Sequence, residues 1–281
     1  MIQEVNGTRL YYEEYGSGDQ VILSCAQVFD PDRIGWPFDL AEEGFHVVAL
    51  QMRGYGNSEH IYSDFEHDWY SVWAEDAAQF ARALGIGRFL YTGQADGAGV
   101  GWNLCFQHPE LLAGFAALSG GPHSRQHAQM NAVRKRNMEA LENQDLAIQL
   151  AQYQRQRILQ FAQKFAYDPV LKAEFENKAE KFYQWQMEKT PEEKLINPGI
   201  PLCWFQTDEE LLKGMRELKV PVLLLNGMKD AMVPLNHTVM TVGDIPRAKA
   251  VYYQDGTCLL HYGYREDVRR EITAFAREIF A

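Results

Sequence analysis

Phe89-Leu90-Tyr91-Thr92-Gly93-Gln94-Ala95-Asp96-Gly97-Ala98-Gly99 is the stretch on which the fold turns. Its first three residues read as a buried strand, and residues 97–107 have helical character until Pro109 ends them. One abrupt corner must join the two. So sharp a corner presses the backbone two residues before its tip against the backbone two residues after it. A Cβ at either place would clash, and Gly93 and Gly97 remove both. The tip is then residue 95. It stands at the start of the helix, where backbone N–H groups can hold an oxyanion. Taking Asp96 as the tip would put Gln94 in a tight position, and that register is rejected.

On either side of this corner, strands alternate with helices. Ile2–Val5 and residues 8–13 flank Asn6-Gly7, a dipeptide suited to the positive φ angles of a type I′ hairpin turn. Val21-Ile22-Leu23 is a buried strand, a short helix passes through Phe38, Leu40 and Ala41, and residues 47–50 form the next strand. Residues 69–84 have helical periodicity and stop at Gly85. Strands follow at 115–118, 222–225 and 250–253, with a last helix over 265–280. This rhythm implies βαβ units. The predicted class is α/β, a mostly parallel, eight-stranded-type sheet with helices on both faces.

The rhythm breaks between residues 122 and 219, which are rich in Gln, Glu, Lys and Arg and show no clear strand. Residues 144–165 form a long amphipathic helix with Leu146, Leu150, Tyr153, Ile158, Phe161 and Phe165 spread over one broad side. Pro169, Pro191, Pro198 and Pro201 punctuate the rest. The expected organisation is a core of residues 1–121 and 220–281 with a helical insertion at 122–219. The aromatics Tyr153, Phe161, Phe165, Tyr183, Trp185 and Trp204 are expected mostly in the insertion's core, with Trp185 the first choice to face a pocket beneath it.

Composition narrows the partners. The 281 residues suit one α/β domain with an insertion, and 46% hydrophobic with 23% charged residues is an ordinary globular balance. Lys+Arg 27 against Asp+Glu 38 gives a net charge of -11, which disfavours nucleic acid and anionic membrane surfaces. Cys25, Cys105, Cys203 and Cys258 are scattered without a C-x-x-C pair. No basic region and apolar core opens the chain, so the expected compartment is cytoplasmic with reduced thiols. His123 and His127 are four apart but lack a carboxylate at metal spacing, so no metal site is expected, and no nucleotide or flavin motif calls for a cofactor. Nothing visible sets the oligomeric state.

With the corner at 89–99, the turn Arg53-Gly54-Tyr55-Gly56-Asn57-Ser58, His108-Pro109-Glu110 and the segment from Val220 to Asp230 in this order, nearly the whole chain resembles the α/β-hydrolase superfamily, in its branch with a helical cap. The resemblance implies a catalytic triad and an esterase- or lactonase-like reaction on a medium-sized hydrophobic small molecule. It puts the nucleophile at position 95, which is Ala95, a side chain that cannot attack a carbonyl. By analogy with other triads, losing the nucleophile costs on the order of 10⁶ in turnover. It implies Asp230 as the acid and a histidine in the last loop. Residue type selects His261, whereas spacing to the last helix points nearer Cys258, otherwise a pocket residue. The loop after Leu23 would supply the oxyanion site through the Ala26 and Asp96 N–H groups, with Cys25 and Gln27 toward the substrate.

Three readings follow. Ala95 is an introduced or natural replacement of serine in an ester or lactone hydrolase. Alternatively, the chain is a pseudo-hydrolase that binds a small apolar ligand without turnover. In the third, the same fold runs a cofactor-free lyase, cyclase or oxygenase step through acid–base work by His261.

Overall fold

The structure is a computed structural model that describes residues 1–27, 36–60, 65, 68–122, 124–125, 139–140, 143–196, 198–230 and 232–281. His123 and His127 lie outside these residues, as does part of the 122–219 insertion. The described residues form an eight-stranded sheet in the order β1-β2-β4-β3-β5-β6-β7-β8. Its strands are β1 (Ile2–Val5), β2 (Thr8–Tyr15), β3 (Val21–Ala26), β4 (His46–Gln51), β5 (Phe89–Gln94), β6 (Leu112–Leu118), β7 (Val222–Gly227) and β8 (Ala248–Tyr253). β1 and β2 pair antiparallel, β2 pairs antiparallel with β4, and all remaining pairs are parallel. Asn6 and Gly7 take φ of 49° and 67°, the two positive angles the hairpin requires.

Strand alternation builds two cores. Leu23, Val48, Tyr91, Phe115 and Leu224 face one side, where they pack with Trp73 of α2 (Trp69–Ala83) and Trp102 of α3 (Asp96–Gln107). Ile22, Val47, Leu90, Ala116 and Leu223 face the other side, with Leu40 of α1 (Trp36–Glu42) and, from the C-terminal helix, Val268 and Ile272. A strand covered on both faces reads as a continuous apolar run, as these do. Each large side chain so buried is worth roughly 1.5–3 kcal/mol.

Between β6 and β7 the described residues hold helices and no strand: α4 (Gln144–Ala162), α5 (Pro169–Glu188), α6 (Pro191–Leu195) and α7 (Asp208–Glu217). Helices α4 and α5 close on a small core of their own, Ile158, Ala162, Phe175 and Ala179. Leu259 from the opposite loop packs against this core. Leu211 and Met215 of α7 instead join the larger core beside the sheet. Of the aromatics expected in the insertion's core, Phe161 stacks edge-on with Phe175, whereas Tyr153 is exposed on the outer face of the two-helix α4–α5 pair, and Trp204, before α7, is exposed beside Phe106 and Phe205. After β7 come α8 (Leu235–Val242), α9 (Leu260–Gly263) and α10 (Arg265–Phe280). No helix among the described residues is long and apolar enough to cross a membrane.

Candidate active site

In open parallel sheets chemistry is usually found at the C-terminal ends of the strands, and the candidate residues stand there. β5 runs into α3 with no intervening loop. Ala95 absorbs the change of direction at φ 49° and ψ -113°. A Cβ on Gly93 would lie 2.3 Å from the backbone carbon of Gly97, and one on Gly97 would lie 2.2 Å from the Cys25 carbonyl oxygen. Glycine is therefore required at both places. Backbone angles of this kind cost an alanine about 1–3 kcal/mol and persist only where surrounding structure imposes them. Here the Ala95 N–H donates to the Leu118 carbonyl at 3.2 Å, and the Ala95 carbonyl accepts from Gly99 at 3.1 Å as the first helical bond. The Ala95 methyl is exposed. The first N–H groups of α3, beginning at Asp96, have no acceptor within the helix.

The end of β3 faces this tip. Cys25 points into the core, where burial pushes its thiol up to about 12. Ala26 is partly buried at the strand end, and its carbonyl accepts from Met52 at 2.9 Å. Gln27 reaches across: its Nε2 donates to Asp96 Oδ2 at 2.7 Å. The Tyr70 hydroxyl donates to the other Asp96 oxygen at 2.8 Å. The Asp96 carboxylate is thus anchored from two elements.

Lys189, just past α5, completes the line by donating to Gln27 Oε1 at 3.0 Å. Its Nζ lies 4.2 Å from the centre of the Trp185 ring, one helical turn earlier. Burial pushes the ammonium down to about 8, while the charges of Asp96 and Glu193 favour keeping the proton. Trp185, the aromatic expected to face a pocket, is linked to Gln27 through Lys189.

Asp230 follows the end of β7. Asp230 is buried, and its Oδ1 accepts from the N–H groups of Met232 at 2.8 Å and Val233 at 3.1 Å. Burial raises the carboxyl to about 6, opposed by these N–H groups and by the Arg157 charge. Its Oδ2 accepts no hydrogen bond among the described residues. Cys258 lies close enough to feel the Asp230 charge. Burial first and that charge second push its thiol up to about 12, so it is a neutral thiol at pH 7. The Cys258 carbonyl accepts from Gln94 Nε2 at 2.8 Å, which ties the last loop to the residue next to Ala95. His261 is buried on α9, three residues beyond Cys258.

The structure therefore brings Gln27 to Asp96 beside Ala95, ties the Cys258 backbone to Gln94, links Trp185 to Gln27 through Lys189, and leaves Asp230 near Cys258. Among the described residues no hydrogen bond joins His261 to Asp230. Lys189, Tyr70, Gln94 and Arg157 did not emerge from sequence reading. For Lys189 a signal existed: a cation four residues after Trp185 at a helix end sits on the same helix face. Among the described residues no cluster of three His, Cys, Asp or Glu could hold a metal ion.

A family model described as alpha/beta hydrolase fold matches residues 31–263, and the chain belongs to that family. Bifunctional epoxide hydrolase 2 of Sus scrofa is 31% identical over 116 residues, 40% of this chain and 20% of that protein, so the chain spans about a fifth of that relative's length. Among solved structures, a thermophilic esterase from Thermogutta terrifontis superposes with a TM-score of 0.72 at 19% identity, covering 100% of this chain and 97% of the other. An N-acyl homoserine lactone degrading enzyme superposes at 0.65 with 17% identity, covering 99% of each chain.

Proposed function

We propose that the crevice at the β5–α3 corner is a carbonyl site of the ester- or lactone-cleaving kind, roofed by the α4–α6 insertion and suited to a medium-sized hydrophobic small molecule. The single observation that carries this reading is Ala95 at φ 49° with its methyl exposed at the start of α3. A strained corner whose tip faces outward has no packing role. Its evident use is to present an atom, and the free N–H groups behind it, to a bound carbonyl. The esterase and the lactone-degrading enzyme among the structural neighbours support the substrate class. With alanine at the tip, no acyl-enzyme forms, and catalysis that depends on a covalent intermediate is lost.

The position of the base is tested together with the nucleophile. Ala95→Ser alone should acquire labelling by a fluorophosphonate probe if His261 serves it. If the Cys258 position is the base's place, labelling and hydrolysis of aryl esters should need Ala95→Ser with Cys258→His, so that the new imidazole lies between the introduced hydroxyl and Asp230. A folded double variant that neither labels nor binds ester analogues would overturn the proposal.

A further inference from the structure

Four side chains from four elements form one hydrogen-bonded line beside residue 95. Tyr70 of α2 donates to Asp96 of α3, Asp96 accepts from Gln27 after β3, and Gln27 accepts from Lys189 after α5. The line sets the Gln27 amide uniquely: its NH₂ must face the carboxylate and its oxygen must face the amine. Lys189 is thus held at a defined place beside the corner, although residue 95 itself carries no reactive group. A positioned amine next to a carbonyl site suggests a route without a covalent intermediate.

We propose that Lys189 is the proton acceptor of this pocket and activates water for direct attack on an ester or lactone carbonyl held at the start of α3. The inference rests on the carbonyl-site reading above. In the first step the neutral Lys189 amine takes a proton from water. A lone pair of that water's oxygen forms the new bond to carbon, and the carbonyl π pair moves onto its oxygen, which faces the α3 N–H groups. In the second step that pair re-forms the double bond, the carbon–oxygen bond to the alcohol breaks, and the Lys189 ammonium protonates the leaving alkoxide. One ester and one water become one acid and one alcohol, and Lys189 is regenerated.

The surroundings suit this role. Burial drives the ammonium toward its neutral form, bringing it to about 8. Among the described residues, Asp96 on α3 and Glu193 on α6 favour the proton, and Lys194 on α6 opposes it. The Trp185 face also favours the charged form. An amine balanced near the working pH accepts and returns protons efficiently.

The test uses the full chain and 4-nitrophenyl butyrate between pH 6 and 10. The rate should rise with pH and level off above about 8, following Lys189 deprotonation. Lys189→Arg keeps a donor for Gln27 and a positive charge but does not release its proton, so kcat should fall about 10²–10⁴-fold with KM little changed. Lys189→Ala should be partly rescued by added methylamine. A wild-type chain without esterase activity, or a Lys189→Arg variant with undiminished kcat, overturns the inference. Binding of the uncleavable anilide N-(4-nitrophenyl)butanamide, measured by calorimetry, separates the two failures. If the anilide binds while the rate ignores Lys189, only the proton-acceptor role fails. If neither chain binds it, the carbonyl-site reading fails as well.

Discussion

Replacing Ala95 by glycine should leave the chain as stable as before, or more so. Elsewhere in a helix or strand the same change costs about 0.5–1 kcal/mol, because glycine has more backbone freedom to lose. At residue 95 the balance is different. The angles φ 49° and ψ -113° are ones that alanine adopts only with strain, on the order of 1–3 kcal/mol, and glycine relieves it. The methyl is exposed, so its removal opens no cavity and returns no apolar surface to water. The net expectation is a gain of about 0–2 kcal/mol. Each kcal/mol corresponds to roughly 2–4 °C in a chain of this size. Urea unfolding followed by tryptophan fluorescence, with a thermal melt beside it, measures the difference. A loss of about 1 kcal/mol or more, the ordinary penalty for glycine, would mean that residue 95 is not at a strained tip. The carbonyl site built on it would then fall.

The opposite change two residues earlier should be severe: Gly93→Ala drives a methyl into the Gly97 backbone at 2.3 Å, so denaturant melts should show a loss of about 3 kcal/mol or more. Asp230 gives a pH signature. Its folded carboxyl stands at about 6, above the ordinary 3.8, so its contribution is most favourable below pH 3.8 and is lost as pH rises through 6. The swing is on the order of 2–3 kcal/mol. Asp230→Asn should abolish it, so the variant gains on the parent between pH 4 and 7 in urea titrations; parallel curves would refute the assignment. Burial pushes the thiols of Cys25, Cys203 and Cys258 up to about 12, 11 and 12, and that of Cys105 upward too. Ellman's reagent at pH 8 should therefore find slow thiols in the native chain and four fast ones in urea; a fast native thiol would contradict the burial at its site.

Much of the framework was legible without coordinates because its signals are short-range. Asn6-Gly7 specifies its own turn, the strand at 222–225 declares burial by an unbroken apolar run, and the C-terminal helix matches its expected bounds, Arg265–Phe280. The corner was legible because Gly93 and Gly97 are only four residues apart around its tip, although the atom that requires glycine at 97 is the distant Cys25 carbonyl oxygen. Helix α5 was not. Four prolines suggested interruption, yet Pro169 sits in the first turn of that helix, capped by Asp168, where its missing N–H costs nothing. The spacing of Lys189 from Trp185 was visible, but its contact with Gln27 was hidden, since a lysine after a polar helix ordinarily faces water.

The chain by itself determined the alternation of strands and helices, the sharp corner and the alanine at its tip, because each depends on neighbours within a few residues. Only the tertiary structure decided which groups stand around that tip. Gln27 and Lys189 are 162 residues apart, and Gln94 and Cys258 are 164 apart. At such separations no periodicity carries information. The contacts exist because parallel pairing stacks the strand ends side by side and the end of α5 meets the loop after β3.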